Sequence, residues 1–545
     1  MRRFALVALV AIGCGPNDSR PPDASPDGSE GNCIADEVER CARDGQLCEE
    51  HVCVDPWKYG SPRWSRCENA TRATPESLAE KAAIYDRRVA TLHMHPQMPW
   101  VVDVVLDPGV DPEIATASDV AAWWSGENDG LFSGLVFAAE AYRYGATGDP
   151  EARALLDRFL DGEEKRMRIT GVYGLFARQI IPPGIEGLSC PSDLAEYTPA
   201  PDKRGNRWVR IGDDGCAQVV EAGTSVFKST AHCGLDEFKD WCFKDNPSQD
   251  EYVGHALALN AMQRVLQDRA SSGTGDDFRL WERVMNLRRQ MHRHLANNGN
   301  VYVDWDGRQT QWGKLYPGAP GDTRGYLAVV SLGVQSTGVF DSTLDYSAPF
   351  YDWRREWVDE LDEIDQWDGA DGCEANWNNL AMLTASFYET INWSIDLDGA
   401  APYREAFAAS LASTTETTRD ILAQHNAWWQ ILWALGKPLG PGTDGPAYAA
   451  VEDAVCQLKQ WPRSNHQVAR NTEALAPHAC TDRLDNSLAS MPFEIADRCA
   501  ATFAYWGNPY ERSSCIDDAR IVRQPGAYLI TYWMGRYFGL IPADL

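Results

Sequence analysis

Residues 131–144 read LFSGLVFAAEAYRY, a run of small and aromatic side chains with few polar ones. Apolar residues occupy more than one face of the helical turn, so the run predicts a helix that is buried on most sides. The following residues, Thr147-Gly148-Asp149-Pro150, predict a turn with Asp149 as the N-cap and Pro150 at the first position of a second helix over 150–166. The stretch therefore indicates a helical domain.

The same helical pattern recurs along the chain, with about eleven or twelve helices in all. Further helices are predicted over 75–89, 250–269, 275–296, 323–334, 353–364, 376–391, 402–424, 426–436, 445–460 and 525–539. Strand-like runs are rare and short, residues 301–303 being one. No repeat of fixed length occurs, which argues against a solenoid. We expect residues 68–545 to form one all-α domain, an (α/α) toroid in which outer helices wrap a barrel of inner helices.

The composition excludes several classes of protein. With 44% hydrophobic and 24% charged residues among 545, the chain has ordinary globular usage. A formal net charge of −29 argues against nucleic-acid binding and against docking on anionic lipid through a basic patch, because both need clustered Lys and Arg. The 21 tryptophans are typical of platforms for sugar rings, although large helical domains also use Trp as core filler.

The first 32 residues predict export and a lipid anchor. Residues 1–13, MRRFALVALVAIG, have two arginines and a short apolar run, as in a secretory signal peptide. Cys14 follows Ala11-Ile12-Gly13, which is similar to a bacterial lipobox, so Cys14 is the predicted lipidation site; a plain signal peptide cut elsewhere is the alternative. Residues 14–32 predict a disordered tether. We expect a cell-envelope protein held to the outer membrane through this lipid only, since residue 15 is Gly rather than Asp.

The cysteines fit an oxidising compartment. Fourteen of the 15 cysteines remain when Cys14 is set aside, and an even number favours disulfide bonds. A small disulfide-rich module is predicted over residues 33–67, which contain Cys33, Cys41, Cys48, Cys53 and Cys67. A zinc site is the alternative, but this stretch has no close C-x2-C pair.

Four segments of the chain are similar to those of a known superfamily. They are 128–135 (NDGLFSGL) running into 139–152 (AEAYRYGATGDPEA), 248–255 (SQDEYVGH), 304–307 with 310–313 (DWDG and TQWG), and 532–541 (YWMGRYFGLI). Together they resemble bacterial (α/α)-toroid domains of the six-hairpin glycosidase type, which include many glycoside hydrolases and polysaccharide lyases. The resemblance implies the fold more strongly than the activity.

Two of these segments place carboxylates where a helix begins. Asp129 precedes the buried helix, and Asp250 and Glu251 stand in the same position before residues 253–256. If these ends face each other across one barrel mouth, they supply the acid and the base that glycoside cleavage needs. Asp129, Asp250 and Glu251 are therefore candidate catalytic residues, and helix capping is the alternative role.

The same region also contains candidate residues for lyase chemistry. His255 is a candidate base that abstracts a proton next to a uronic-acid carboxylate, with Tyr252 as a possible acid, which is lyase chemistry. Arg178 is a candidate fork for that carboxylate. A buried structural His255 and a structural ion pair of Arg178 are the alternatives.

Other residues complete the candidate site. Asn128, Trp123 and Trp124 precede the buried helix, and Trp208 and Trp312 lie on long loops; all five are candidate sugar contacts. His292 and His294, in an Arg-rich helix, are expected to be solvated. His93 and His95 lack a second ligand cluster, so we expect no metal ion, and no GxSxG, P-loop or GxGxxG motif indicates a cofactor or an esterase site.

Two classes of function follow from these observations. The first is a carbohydrate-active lipoprotein, a glycoside hydrolase or polysaccharide lyase that cleaves an oligo- or polysaccharide at one end of the toroid. The alternative is a non-catalytic glycan-binding or structural lipoprotein of the cell envelope. A strongly acidic chain repels anionic polymers at long range, which favours neutral glycans or non-enzymatic roles.

Overall fold

A computed structural model of the chain describes residues 47–49, 52–54, 74–124, 128–190, 206–220, 226–314, 426–435, 445–467, 470–481, 485–489, 492–500, 508–512, 514–515 and 518–545. Its helices are α1 Leu78–Arg88, α2 Asp129–Thr147, α3 Pro150–Arg168, α4 Gln249–Arg269, α5 Asp276–Asn297, α6 Ala427–Leu435, α7 Gly445–Gln460 and α8 Gly526–Tyr537. These eight confirm the helices predicted at the same places. The helices predicted between 323 and 424 lie outside the described residues.

The bounds of these helices follow from capping chemistry. Ser77 caps α1, since its hydroxyl accepts from the Glu80 N–H at 3.1 Å and the Glu80 carboxylate accepts from the Ser77 N–H at 2.9 Å. α2 ends at Gly148, whose φ of 71° suits glycine. Asp149 then caps α3 by accepting from the Glu151 N–H at 2.8 Å, as the sequence predicts.

The described helices form two rows. The inner row runs α6, α8, α2, α4, with each helix packed against the next. The outer row consists of α7 against α6, α1 against α8, α3 against α2, and α5 against α4. In the inner row α2 and α4 are parallel, because Gly134 faces Gly254 near their starts and Gly145 faces Val265 near their ends. Parallel inner helices bring their N-terminal ends to one end of the array.

α2 is buried along most of its length, as its composition predicts. Leu131, Leu135, Phe137, Ala138 and Tyr142 on different faces are all fully buried. They belong to the largest of three cores among the described residues, which also holds the apolar faces of α4 and α8. Burial of this kind is the main stabilising contribution, at about 25 cal/mol per Å² of apolar surface.

The strands are more numerous than the sequence predicts. They are β1 Leu47–Glu49, β2 Val52–Val54, β3 Asp103–Leu106, β4 Val120–Trp124, β5 Gln179–Ile181, β6 Trp208–Ile211, β7 Cys216–Val220, β8 Phe227–Cys233, β9 Cys242–Lys244, β10 Val301–Val303, β11 Gln309–Lys314, β12 Arg470–Asn471, β13 His478–Thr481, β14 Ser487–Ala489, β15 Ser514–Cys515 and β16 Ile521–Val522. An antiparallel sheet of order β5-β9-β6-β7-β8 lies in the connection between α3 and α4, and β16-β3-β4 form a second sheet. The apolar faces of both sheets share the second core.

The fold class is therefore only partly as expected. Two rows of helices are compatible with a toroid, but the described residues do not show a closed ring, and the domain is not all-α because it carries these sheets. Sequence analysis did not predict the sheets, because several strands have only two or three residues and are too short to show alternating apolar and polar residues. No described helix has the length and hydropathy needed to cross a bilayer.

Disulfide bonds are confirmed in the domain. Cys190 is bonded to Cys242 and Cys216 to Cys233, and both bonds staple the five-stranded sheet. Cys456, Cys480 and Cys499 are disulfide-bonded as well. In the Cys-rich module, the structure describes only the antiparallel hairpin of β1 and β2, in which Cys48 is opposite Cys53. The predicted signal peptide, Cys14 and the tether lie outside the described residues.

Candidate functional site

One arginine joins the first residues of two inner helices. Arg178 Nη2 donates to Asn128 Oδ1 at 2.5 Å, and its Nη1 donates to Ser248 Oγ at 3.0 Å and to the Asn246 carbonyl at 3.3 Å. Its Nε lies 3.9 Å from Glu251 Oε2. Arg178 directly precedes β5, and its backbone N–H donates to the Lys244 carbonyl at 3.0 Å, which fixes its position. Arg178 therefore connects Asn128 at the start of α2 with Ser248 and Glu251 at the start of α4.

This arrangement changes how both helices are capped. Asn128 and Ser248 hold the N-cap positions of α2 and α4, yet neither side chain makes a capping hydrogen bond to its own helix. Their oxygens accept from Arg178 instead. Asn and Ser are among the best N-capping residues, and giving up a cap costs about 1 kcal/mol each. The bonds from Arg178 to Asn128 and Ser248 therefore replace the capping hydrogen bonds of both helices.

His255 lies beneath this junction in a buried charged cluster. Its Nδ1 is 2.5 Å from Glu163 Oε2, and Arg166 Nε is 3.7 Å from the other oxygen of Glu163. Its ring stacks on Phe176 with the centroids 4.6 Å apart. On its other side, an added Cβ on Gly130 would fall 2.4 Å from His255 Nε2. The imidazole is thus enclosed between a carboxylate, an aromatic ring and the backbone of α2.

The placement of His255 and Tyr252 does not favour lyase chemistry. His255 is completely buried, so the alternative of a structural histidine describes it better than a base in contact with sugar. Tyr252 is also completely buried; its hydroxyl donates to the Gly174 carbonyl at 3.0 Å and accepts from the Phe176 N–H at 2.9 Å. Burial raises the pKa of Tyr252 well above its ordinary value, which makes it a poor proton donor.

The three candidate carboxylates stand in the first turns of α2 and α4. Asp129 is 2% exposed and Glu251 is completely buried next to Arg178. Glu251 Oε1 lies 3.3 Å from the point that a Cβ on Gly130 would occupy, so it faces the start of α2 directly. Asp250 belongs to the first turn of α4, and its side chain lies outside the described part of the chain. Their catalytic roles stay predictions.

A network that sequence analysis missed holds the junction in place. Asn246, at a left-handed φ of 60°, donates its backbone N–H to Asp304 Oδ2 at 2.7 Å, and its Oδ1 accepts from the Gln311 N–H at 2.7 Å. The carbonyl of the same residue accepts from Arg178. Asn246 therefore ties the hairpin of β10 and β11 to the start of α4. The Asn-Pro pair at 246–247 was the available signal, because this pair marks a turn and Asn tolerates the left-handed region.

The four predicted tryptophan platforms differ in exposure. Trp124 is 47% exposed and Trp312 is 57% exposed, whereas Trp123 and Trp208 are buried. Trp123 packs edge-on against His95, and Trp208 lies in a small core under Lys244. Buried indoles act as core filler, so Trp123 and Trp208 are not placed to stack on a sugar.

The exposed aromatic side chains belong to segments that are close in sequence to residues of the junction. Trp124 is four residues before Asn128, which limits their Cα separation to about 14 Å. Trp312 follows Gln311, which bonds to Asn246. Tyr173, which sequence analysis did not select, is 78% exposed and precedes Arg178 by five residues. Three exposed aromatic rings therefore belong to segments that adjoin the junction residues in the sequence.

Three other histidines, His93, His292 and His294, are buried in the fold. His292 and His294 are buried, so the expectation that they are solvated is wrong; α5 turns this face toward the core. His93 is buried with its Nδ1 2.9 Å from the Val102 carbonyl, and burial lowers its pKa to about 4. Among the residues that the structure describes, no three His, Cys, Asp or Glu side chains are grouped to hold a metal ion.

Comparisons with known proteins give limited information. No protein-family model and no curated protein match the chain. Among solved structures, a Bacteroides ovatus GH9 protein has a TM-score of 0.36 and 12% sequence identity, covering 85% of this chain and 82% of that one. The GH family 9 endoglucanase J30 has a TM-score of 0.33 and 12% identity, covering 84% of each chain. Overlap at this level does not establish a shared fold.

Proposed function

We propose that the protein is a carbohydrate-active enzyme, a glycoside hydrolase whose site lies where α2 and α4 begin. The observation that carries the proposal is Arg178, which binds the N-cap residues Asn128 and Ser248 and draws two carboxylate-bearing helix starts together. The segments that resemble six-hairpin glycosidases include both of these helix starts. Trp124, Tyr173 and Trp312 are exposed aromatic side chains of the kind that stack on pyranose rings. One face of the Trp124 ring is covered by the Arg523 guanidinium, 4.7 Å from the ring centroid.

The division of roles follows from burial and pairing. Glu251 lies against Arg178 in the interior and is best suited to hold that arginine in place. Asp129 and Asp250 are then the pair proposed for acid and base. Carboxyl groups about 5–5.5 Å apart act by retention and those about 6.5–9.5 Å apart by inversion. Elimination is the less favoured reaction, because His255 and Tyr252 are both enclosed.

A non-catalytic glycan-binding protein is the second candidate. The burial of Asp129, at 2% exposed, favours it, since a catalytic carboxyl must touch the substrate. In that case Asp129 is held within the fold, and the three exposed aromatic side chains bind sugar without cleavage.

The test is a panel of neutral and uronic-acid polysaccharides, assayed for new reducing ends and for ultraviolet absorbance of unsaturated uronic acid. We expect reducing ends without absorbance, and their loss in Asp129→Asn and Asp250→Asn. Asp276→Asn is the matched control, because Asp276 is an exposed acid in the first turn of α5, an outer helix. Both signals together would indicate a lyase. Binding without either signal would indicate the second candidate, and no binding at all would contradict both.

We further propose that the mature protein is anchored in the cell envelope through Cys14. The support is the sequence arrangement of signal, cysteine and tether. Mass spectrometry of the mature N-terminus should find a diacyl- or triacyl-modified Cys14. An unmodified N-terminus at any other residue would overturn the anchor without affecting the enzyme proposal.

A further inference from the structure

A second buried charged cluster lies away from the helix starts, in the middle of the inner row. Arg143 on α2 is surrounded by carboxylates: its Nε is 3.5 Å from Asp86 Oδ2, its Nη1 is 3.1 Å from Glu140 Oε2, and its Nη2 bonds to Asp149. Glu151 is 3.9 Å away at the exposed rim. Asp86 belongs to α1 and Glu140 to α2, so the cluster joins an outer helix to an inner one.

The charges of this cluster do not balance if every carboxyl group is ionised. Asp86 is 3% exposed and Glu140 is completely buried, and both depend on the single guanidinium of Arg143, which also serves Asp149. Two close carboxylates in a low-dielectric interior cannot both stay ionised without a large penalty. One neutral carboxyl group removes that penalty.

The hydrogen bonds around Asp86 indicate where the proton sits. Asp86 Oδ1 accepts from Trp533 Nε1 of α8 at 3.0 Å, and the Asp86 and Glu140 carboxyl groups are close enough for each to affect the pKa of the other beside the guanidinium of Arg143. A hydrogen bond between two carboxyl groups requires that one of them carry a proton. Glu140 Oε1 is buried and accepts from no N–H or O–H donor in the described structure, so it is free to carry that proton.

We infer that Glu140 is a neutral carboxylic acid in the folded protein at neutral pH, and that its proton, donated to Asp86, is part of the contact that holds α1 and α8 against α2. The contact of α1 and α8 with α2 therefore depends on pH. Burial raises the pKa of Glu140 well above its ordinary value, and that of Asp86 to about 7. Of the other groups that face the pair, Arg143 opposes these shifts and Asp149 reinforces the shift of Asp86. Tyr528 and Tyr532 face Asp86 from α8.

The direction of the pH effect follows from these raised values. The stability that the bound proton contributes is fully present below about pH 4, the ordinary carboxyl value, and is lost as the pH rises through the folded-state values. Between about pH 5 and 7 the folded pair holds at least one proton more than the unfolded chain. The unfolding equilibrium constant therefore increases at least tenfold per pH unit from this pair alone.

The test compares urea unfolding of the wild type, Glu140→Gln and Glu151→Gln from pH 5 to pH 9. The amide introduced by Glu140→Gln keeps an uncharged donor at the same place, so the ratio of the two unfolding constants, wild type over variant, should rise at least tenfold per pH unit up to about pH 7. Taking the ratio cancels the titration of groups elsewhere, such as His93. Glu151→Gln removes an exposed acid beside the same arginine and should follow the wild type.

Infrared spectra of the wild type provide a second readout that does not depend on a variant. The folded protein at pH 7 should show the carbonyl stretch of a protonated carboxyl group, and unfolding at the same pH should remove it. Parallel pH profiles of the wild type and Glu140→Gln would overturn the inference. If the variant does not fold, absence of the infrared band from the folded wild type would overturn it.

Discussion

The carbonyl oxygen of Gly254 stands 2.3 Å from the point where a Cβ atom of Gly134 would have to lie. In the other direction, a Cβ on Gly254 would come within 2.4 Å of the Leu131 Cα. Backbone is in contact with backbone at this crossing of α2 and α4. The two helix starts can approach closely enough for Arg178 to bind both because neither helix has a side chain here.

Gly134→Ala should destabilise the protein by about 1–3 kcal/mol, since the added methyl group forces α2 and α4 apart. In an exposed helix the same change would stabilise by about 0.5–1 kcal/mol, so the sign of the effect is diagnostic. Chemical unfolding measures it. Ala146→Gly, at an exposed position near the end of α2, gives the ordinary propensity cost for comparison. A Gly134→Ala variant as stable as the wild type would contradict the close crossing.

The inner helices could be predicted from sequence because their signals are local. The α2–α3 hairpin is specified by the apolar run 131–144 and by Asp149-Pro150, and its bounds are within three residues of those predicted. The five-stranded sheet could not be predicted, because its strands pair residues as distant as Gln179 and Lys244. Pairings of this kind depend on long-range contacts that no sequence window contains.

The candidate site was also predictable from sequence only in part. Asn128 and Glu251 were selected at helix starts and Arg178 as a fork for a carboxylate, and the structure brings these three together. Residue type could not predict burial, which separates exposed Trp124 from buried Trp123 in the same strand. The strand alternates its side chains between two faces, and only the sheet decides which face is covered.

Glu163→Ala should cost about 3–5 kcal/mol, because it leaves His255 and Arg166 buried without their carboxylate. The neighbouring Glu164 provides a matched control. It pairs with Arg283 at the partly exposed surface of α3 and α5, so Glu164→Ala should cost about 1 kcal/mol or less. Equal losses of unfolding free energy in the two variants, measured by urea unfolding, would show that the buried cluster contributes no more to stability than the partly exposed ion pair.

Removal of the Cys216–Cys233 disulfide should lower the free energy of unfolding by about 3 kcal/mol. The bond closes a loop of 17 residues between β7 and β8, and loop-closure entropy of the unfolded chain sets this magnitude. The Cys190–Cys242 bond spans 52 residues, and its removal should cost about 4 kcal/mol by the same relation. The double serine variants are compared with the oxidised wild type in thermal and urea unfolding. An unchanged midpoint in both variants would contradict the prediction.

His294 should make the fold sensitive to mild acid. Its Nε2 accepts a hydrogen bond from the Val303 N–H at 3.1 Å, which only a neutral imidazole can do. Burial lowers the pKa of His294 to about 4. Because the unfolded chain binds a proton at about pH 6.5, stability is lost as the pH falls from about 6.5 to about 4, by up to about 3 kcal/mol.

The check on His294 is the pH dependence of His294→Gln, which cannot gain this charge. Its stability deficit relative to the wild type should shrink as the pH falls from about 6.5 to about 4, because only the wild type then has to keep an imidazole neutral. His478→Gln is the control, since His478 is exposed and bonds to the Ser487 hydroxyl. A deficit that stays constant over this range would mean that the hydrogen bond from Val303 of β10 does not depend on a neutral His294 ring. Imidazole nitrogen shifts in NMR spectra report the same protonation directly, and a ring that is charged at pH 6 would contradict the prediction.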